Sequence, residues 1–531
     1  MKYFGWIFLF FIFVYIVPLG SRPMFSPGEF QYAETAREMI FSGSYVTAAD
    51  SGVFAANQMP LDHWLTVGSF KLFGINSFAA RLPSALAVGL TALLIALLIQ
   101  QSLRDQKLGA LSAIIFMTFS ITLLTGGTAG SGAVFTAFAS ASLGTLFLAA
   151  QETAFNRRKL LLIIISGISA ALTFLSGGLY AVILLLLISL FYLLFNCRFK
   201  ELLILPGWLI CAVLVLLPWG FHAAEKIPGF WCEIFSWQNF KAITGCTGTW
   251  YRTLLYPAIG LFPVIVILPT AVMAGKEAWT RMLRQPLCRF ALLAFLLPAV
   301  YFAALRCLPQ GMTLLMFPAL SILTAMGIQA YFNRGGHHRT FDWMLNIWGL
   351  FLIITGGMEI AVWYFRESLL QEYFTLLPIT RLFLINLGVS SLIGGTVLLY
   401  SLRGNWRSRL YLFFFSVAIL PLGISWCFSS NSRMPEAIFK KFIRQMDILT
   451  DESTFITSKD FTPALSWCTE NRNVIAIADG QELHCCGSEV CYVLLKNDDP
   501  AWQNLPKPEK IISIEQFSCA RFSGHRDCTK K

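Results

Sequence analysis

Charge is what this sequence has least of. Asp, Glu, Lys and Arg make up 13% of its 531 residues, about half the share of roughly 25% found in soluble domains. The acidic side is the scarcer, with 29 Asp and Glu against 40 Lys and Arg, for a formal charge of +11. That excess is scattered over short loops rather than gathered on one face, which argues against nucleic acid as a partner. Few ionisable residues fall inside the apolar stretches, so an ion-coupled transporter is a weak reading. No two cysteines stand in C-x-x-C spacing, which weakens structural zinc. There are no internal repeats, and no low-complexity runs beyond the Leu/Ile/Phe-rich stretches.

What the chain has is long apolar runs. Spanning a hydrocarbon core of roughly 30 Å takes about 20 apolar residues. Runs of that kind lie at 3–19, 78–102, 108–126, 131–150, 159–176, 178–196, 201–218, 254–275, 288–306, 310–332, 342–364, 380–401 and 407–428. The predicted fold class is therefore an all-α polytopic membrane protein of about 13 helices with a small terminal α/β domain. Ser176-Gly177-Gly178 divides what would otherwise be one segment over 159–196. Every second loop is basic: Arg104 and Lys107; Arg157, Arg158 and Lys159; Arg198 and Lys200; Lys276, Arg281 and Arg284; Arg334 and Arg339; Arg403, Arg407 and Arg409. The loops after the third and fifth spans carry no Lys or Arg. Cationic loops stay cytoplasmic, which predicts a multi-pass protein of a bacterial-type inner (plasma) membrane, N-terminus inside and C-terminal domain periplasmic. Residues 3–19 also fit a signal peptide, but the run is long and Pro18-Leu19-Gly20-Ser21 is a poor cleavage site, so an uncleaved first helix is expected. The 47 Phe residues need no special site, since lipid-facing helices tolerate them.

The predicted membrane domain is 1–428, the tail domain 429–531, and the large segments 20–77, 219–253 and the tail all fall on the outer face. Loops of that length in a compact bundle are usually functional. Ser26-Pro27-Gly28-Glu29 reads as a helix start with a capping box, the helix running to Ser42-Gly43. A second surface helix is expected over 60–73, with Trp64 at the interface. Glu34, Arg37 and Glu38 suit pairing on a solvated face. The tail has β-prone pieces at 453–457, 473–478, 491–497 and 510–517 and an amphipathic helix at 434–449. Its cysteines (Cys468, Cys485, Cys486, Cys491, Cys519 and Cys528) are expected to be at least partly disulfide-bonded outside the cell, in any of 15 pairings; zinc is the competing reading.

Residues 22–93 carry a long ordered pattern: Pro27-x-Glu29-x-x-Tyr32-Ala33-Glu34-x-Ala36-Arg37-Glu38-Met39, Ser42-Gly43-x-Tyr45-Val46-Thr47, Pro60-Leu61-x-x-Trp64-Leu65, and Ser69 through Leu86. It resembles the N-terminal region of the lipid A aminoarabinose transferases and protein O-mannosyltransferase-like enzymes of the GT-C superfamily. Weaker likeness continues at Pro218-Trp219, Glu233-x-Phe235-x-x-x-Asn239, Thr244-Gly245 and Phe317-Pro318-Ala319-Leu320. The resemblance implies sugar transfer from a polyprenyl-phosphate donor to a cell-envelope acceptor on the outer face: a lipid A-like glycolipid of lipopolysaccharide, a glycan or a protein. A divalent cation often assists that reaction in the family.

The chain departs from the family where the chemistry lies. The family's Pro-Asp-Glu is Pro27-Gly28-Glu29, and its Glu-Lys-Pro-Pro is Asn57-Gln58-Met59-Pro60. Its Thr-Asp-x-Pro is Ser131-Gly132-Ala133-Val134, its Thr-Lys-Gly-Pro is Ser176-Gly177-Gly178-Leu179, the Arg before the helix tyrosine is Gln31, and a further Arg is Ala242. Glycine can neither accept a proton nor hold a metal. The acids left to act as base are Glu29 and Asp62, and Tyr32, Asn57, Gln58, His63 and Lys241 are the candidate substrate-binding residues. Glu29, Asp62 and His63 are expected to share one cavity if the two surface helices meet. The plainer readings are that Glu29 closes a capping box, that Asp62 and His63 start a helix and meet water, and that Lys241 and Arg252 are headgroup contacts. Two functions stay open: a transferase with a rewired site, or a catalytically inactive relative that binds a polyprenyl lipid or partners an active transferase.

Overall fold

The computed structural model describes residues 2–21, 24, 26–46, 59–130, 132–227, 229–235, 255, 257–305, 312–333, 339–369, 381–400 and 409–418 of the membrane domain. In the tail it describes 439, 442–443, 454–458, 462–469, 474–477, 490–496, 510–514 and 517–523. The helices that position the site are α1 (Lys2–Phe11), α2 (Pro27–Ser42), α3 (Pro60–Phe73), α4 (Ser77–Leu103), α5 (Gln106–Thr118), α6 (Ser120–Gly126), α7 (Gly132–Gln151), α8 (Arg157–Gly177), α9 (Leu179–Phe195), α10 (Ile204–Lys226) and α11 (Phe230–Phe235). They are followed by α12 (Lys276–Leu283), α13 (Pro286–Leu305), α14 (Met316–Phe332), α15 (Arg339–Leu369), α16 (Arg381–Tyr400) and, in the tail, α17 (Thr462–Thr469).

Among the described residues seven helices are long and apolar enough to cross a membrane, and α5 with α6, bent by 72° between them, makes an eighth. Four shorter apolar helices, Tyr3–Ile16, Leu179–Phe195, Leu387–Leu399 and Arg409–Ala418, fall on expected spans. The stretch expected at 254–275 is not one helix. It breaks into a turn at Val264–Val266 and a short helix at Leu268–Val272. Pro257, Pro263 and Pro269 recur every six residues there, and each removes a backbone donor and opposes a continuous helix. The break at 176–178 is where the sequence placed it: Gly178, at φ +75°, ends α8 and begins α9, a conformation that costs glycine little.

The spans sort by burial. In the apolar windows of Gly132–Gln151 and Thr313–Phe332, 72% and 83% of residues are buried, against 22% in Phe199–Lys226. The first two therefore form the centre of the bundle and the last faces lipid. α15 and α16 pack backbone to backbone: a Cβ on Gly356 would sit 2.6 Å from the Gly388 carbonyl, and one on Gly395 2.7 Å from that of Gly349. Small residues permit such approach between helices in lipid.

Loops of like number meet. Arg158 Nη2 donates to Gln101 Oε1 (3.3 Å), Lys159 Nζ to Glu201 Oε2 (2.6 Å), and Arg198 Nη2 to Gln151 Oε1 (3.0 Å). Gln329 Nε2 donates to Asp105 Oδ2 (2.8 Å), and Arg409 pairs with Asp342. These contacts join the loops after spans 2, 4, 6, 10 and 12 at one end of the bundle, the basic end. Leu19, Ala129 and Ser176, from the loops after spans 1, 3 and 5, meet α2, α3 and the start of α4 at the opposite end.

The surface helices stand as expected. Ser26 Oγ accepts from Glu29 N (3.2 Å), Pro27 occupies the first position, and Gly43 at φ +67° closes α2. Pro60 opens α3. Their outer side is not solvated, however. Glu34 and Arg37, expected to meet water, are 7% and 3% exposed, because α17 of the tail lies over them. Arg37 Nη2 donates to Glu34 Oε1 (2.5 Å) and Ser466 Oγ (3.0 Å), while Ser466 Oγ donates to Glu34 Oε1 (2.6 Å). Phe70 of α3 and Trp467 of α17 lie with ring centroids 6.0 Å apart. The Ser466 hydroxyl of the tail bridges the two charges, while Glu34 Oε2 and Arg37 Nε stay buried without a hydrogen-bond partner among the described residues. Glu38 alone of the three stays exposed.

The tail sheet runs in the order β2-β1-β3-β5-β4, with β1 Thr454–Ser458, β2 Val474–Ile477, β3 Val490–Lys496, β4 Lys510–Ile514 and β5 Phe517–Ser523. β1 is parallel to β2 and β3, and β5 is antiparallel to β3 and β4. The piece expected at 510–517 is a hairpin rather than one strand. The helix expected at 434–449 lies outside the described residues apart from Phe439, Phe442 and Ile443. Cys519 is a buried free thiol in this structure, and burial pushes its pKa up to about 12, which holds it in the neutral form. Cys468 sits half-buried on α17. Cys485, Cys486 and Cys528, and the side chain of Cys491, lie outside the described residues.

Candidate active site

Two clusters form where α2, α3 and the loops of the surface-helix end converge. The first is built on Arg81, in the second turn of α4 and fully buried. Its Nε and Nη2 donate to Glu29 Oε1 (2.6 Å) and Oε2 (3.1 Å), and its Nη1 to the Leu19 carbonyl (3.1 Å). Glu29 Oε1 also accepts from the Ala129 amide (3.2 Å). Both carboxylate oxygens are thus occupied by a two-pronged guanidinium contact, the strong form of this pairing. Glu29 therefore does less for its own helix than a capping box implies. Its amide takes the Ser26 cap, while its carboxylate ties α2 to α4 and to the loop ahead of α7.

The second cluster surrounds Asp62 in the first turn of α3. Asp62 and His63 do not meet water, as a bare helix start would; they are 2% and 4% exposed. Ser176 Oγ, at the end of α8, lies 2.9 Å from Asp62 Oδ1 and 2.7 Å from Oδ2. The His63 ring packs on Tyr32, with centroids 4.4 Å apart, and its Nδ1 is buried without a hydrogen-bond partner. Burial holds the Asp62 carboxyl well above the usual carboxylate range, and the Ser176 hydroxyl opposes it. The Tyr32 phenol is raised by burial first and then by the Asp62 charge, against a hydrogen bond from Thr66. Burial lowers His63 to about 4, with the Tyr32 backbone opposing. His63 is therefore a neutral imidazole at physiological pH, and among the described residues no cation pairs with Asp62.

The described side chains fall into two contact groups, Asp62, His63, Tyr32 and Ser176 in one and Glu29 and Arg81 in the other. Gly28 faces solvent, and a Cβ built there meets nothing within 4 Å. Asn57, Gln58, Lys241 and Arg252 lie outside the described residues. Among the described residues no three His, Cys, Asp or Glu side chains gather as a metal-ion site. Asp62 offers one carboxyl already engaged by Ser176, so the residues in view do not fit a divalent cation. Arg81 and Ser176 are the partners sequence reasoning missed. A lone arginine entering an apolar span was the available signal, since a buried guanidinium requires a carboxylate.

The His63 shift sets a pH dependence. Its folded pKa of about 4 lies below the unfolded value of 6.5, so the unfolded chain takes up the proton first as pH falls. Stability from this group is intact above pH 6.5 and declines between 6.5 and about 4, by about 3 kcal/mol in all. Thermal unfolding in detergent at pH 7 and pH 5 should show a drop that is smaller in His63→Phe, while an equal drop in both proteins would contradict it.

The fold places these clusters in known company. Residues 2–233 match the family model for dolichyl-phosphate-mannose-protein mannosyltransferase. The chain is 26% identical to the undecaprenyl phosphate-alpha-4-amino-4-deoxy-L-arabinose arabinosyl transferase of Shewanella sediminis, over 97% of both chains. A Pseudomonas fluorescens relative of the same description is 29% identical over 55% of this chain and 53% of its own. In three dimensions ArnT from Cupriavidus metallidurans bound to undecaprenyl phosphate superposes with a TM-score of 0.78 at 17% identity, covering 97% of this chain and 98% of that one. The apo form gives 0.72 at 18% identity, with the same coverage. The chain has the membrane fold of ArnT and resembles the lipid A aminoarabinose transferases. Where the resemblance puts an acid this chain has the exposed Gly28, and the neighbouring Glu29 is bound to Arg81.

Proposed function

We propose that this GT-C protein transfers a sugar from a polyprenyl-phosphate donor to a cell-envelope acceptor, with Asp62 as the base. The observation that carries this reading is the Asp62 environment: a buried carboxyl at a helix start, held by Ser176 and close enough to raise the Tyr32 phenol, on which the His63 ring packs. Substitution at the anomeric carbon forms a bond to the acceptor oxygen and breaks the bond to the phosphate oxygen. The acceptor proton passes to Asp62, and polyprenyl phosphate leaves with the bonding electron pair. A carboxyl raised by burial is a better base than an exposed one once ionised. Arg81 is engaged by Glu29, and the cation assigned to the departing phosphate is Lys241, which lies outside the described residues. The undecaprenyl phosphate in the Cupriavidus metallidurans structure and the arabinosyl donors named for the sequence relatives support the lipid class. The loop charges support an orientation with the surface-helix end outside a bacterial-type inner membrane.

A second reading, a relative that binds the lipid without turning it over, is favoured by Gly28, since glycine stands exposed where the family has its acid. Mass spectrometry of lipid co-purifying with the protein, before and after addition of envelope extract, separates the two. Consumption of a bound lipid-phosphate sugar supports the transferase. A lipid that stays intact, with Gly28→Asp also inert, supports the binding protein.

A further inference from the structure

At the basic end, away from the clusters just described, lies a cavity of about 480 Å³. Its polar wall is Asp105, Arg281, Gln285, Gln329 and Asn333, and its apolar wall includes Leu108, Met282 and Met326. Three features of this wall bear on what it can hold. Arg281 is exposed on α12, an eight-residue helix with Ala278 and Met282 buried beneath it and Trp279 Nε1 donating to the Val272 carbonyl (3.2 Å). A basic helix with an apolar underside and a tryptophan is the composition that settles at a headgroup layer. Asp105, the acid in the wall, is largely spent. Its Oδ1 accepts from the Lys107 and Leu108 amides (3.0 Å each), capping α5, and its Oδ2 from Gln329 (2.8 Å). Finally, Arg104, Lys107 and Arg284 adjoin the lining residues in sequence, so the surrounding field is positive.

We propose that this cavity holds the phosphate-bearing headgroup of a membrane phospholipid from the leaflet at the basic end. The phosphate sits on Arg281, with the amides of Gln285, Gln329 and Asn333 donating to its oxygens. A hydroxyl or ammonium of the head alcohol turns toward the residual charge of Asp105, and Leu108, Met282 and Met326 take the glycerol and first methylenes. A guanidinium beside several amide donors recognises phosphate, and the mixed wall suits the junction between headgroup and chain. The inference is independent of the transferase reading, since none of its residues belongs to the two clusters.

The test uses the full chain in detergent, titrated with phosphatidylglycerol and, separately, with glycerol phosphate, and read by native mass spectrometry. Wild-type protein should retain phosphatidylglycerol, and Arg281→Ala should weaken that binding about tenfold, the loss expected for a charge-assisted contact. Ala330→Phe, which fills the cavity without altering charge, should weaken it comparably. Arg158→Ala, whose Arg158–Glu152 pair lies at the same end outside the cavity, should not. If glycerol phosphate competes equally, the phosphate recognition stands and its source is soluble. Equal phosphatidylglycerol binding by wild type, Arg281→Ala and Ala330→Phe would mean loosely surrounding lipid only, and would overturn the proposal.

Discussion

Asp62→Asn should cut sugar transfer by about 10²–10⁴-fold, the contribution of a positioned base, while the protein still folds and keeps its lipid. Asparagine has the shape of aspartate and can still accept from Ser176, so the cluster survives and only the proton acceptor is lost. The pH profile gives a second, independent readout. Burial holds Asp62 well above the usual carboxylate range, so turnover should rise with pH along a limb displaced upward from that of an exposed carboxylate. Ser176 favours the ionised form by donating to it. Ser176→Ala should therefore shift the limb to still higher pH, which a merely structural serine would not do. The sign for stability is the reverse of a salt-bridged acid: a carboxyl raised in the fold destabilises as pH climbs through its folded pKa. A protein in which Asp62→Asn transfers at the wild-type rate has its base elsewhere.

Local signals carried the framework of this molecule. Ser26 with Pro27, Pro60, and glycines at 43 and 178 mark helix boundaries through backbone chemistry that depends on few neighbours, and each stands where the sequence puts it. The loop charges anticipated which loops share an end, because that pattern depends on alternation rather than on packing. What stayed hidden was pairing across long separations. Arg81 and Glu29 are 52 residues apart, Asp62 and Ser176 114, and Glu34 and Ser466 432. Periodicity along a helix reports that a face is polar, not that another element covers it. Hence Glu34 and Arg37 read as solvated and Asp62 as a helix start meeting water, while each is buried against a partner from elsewhere in the chain. Span 254–275 failed for a different reason: hydropathy averages over Pro257, Pro263 and Pro269, three in one stretch, whereas α4, α10 and α13 each carry a single internal proline and stay continuous.

Replacing Glu29 by Gln should lower stability, by up to about 3–5 kcal/mol, the cost of removing one partner of a buried ion pair. Arg81 is fully buried, and Glu29 supplies its counter-charge through both carboxylate oxygens. A neutral amide can keep one hydrogen bond but brings no charge, and it presents its own donors to a guanidinium that only donates. Arg81→Met should be costly for the converse reason, leaving a buried carboxylate whose remaining partner among the described residues is the Ala129 amide. The combined Glu29→Met, Arg81→Met variant should be more stable than either single change, because no unpaired charge remains. Melting temperatures in detergent for the four proteins close a double-mutant cycle, with strong coupling expected between residues in direct contact. Activity read on the same four proteins separates clamp from base: a catalytic Glu29 leaves the double variant dead at normal stability. Recovery of both stability and turnover would assign Glu29 to holding α2 against α4, and leave the proton to Asp62.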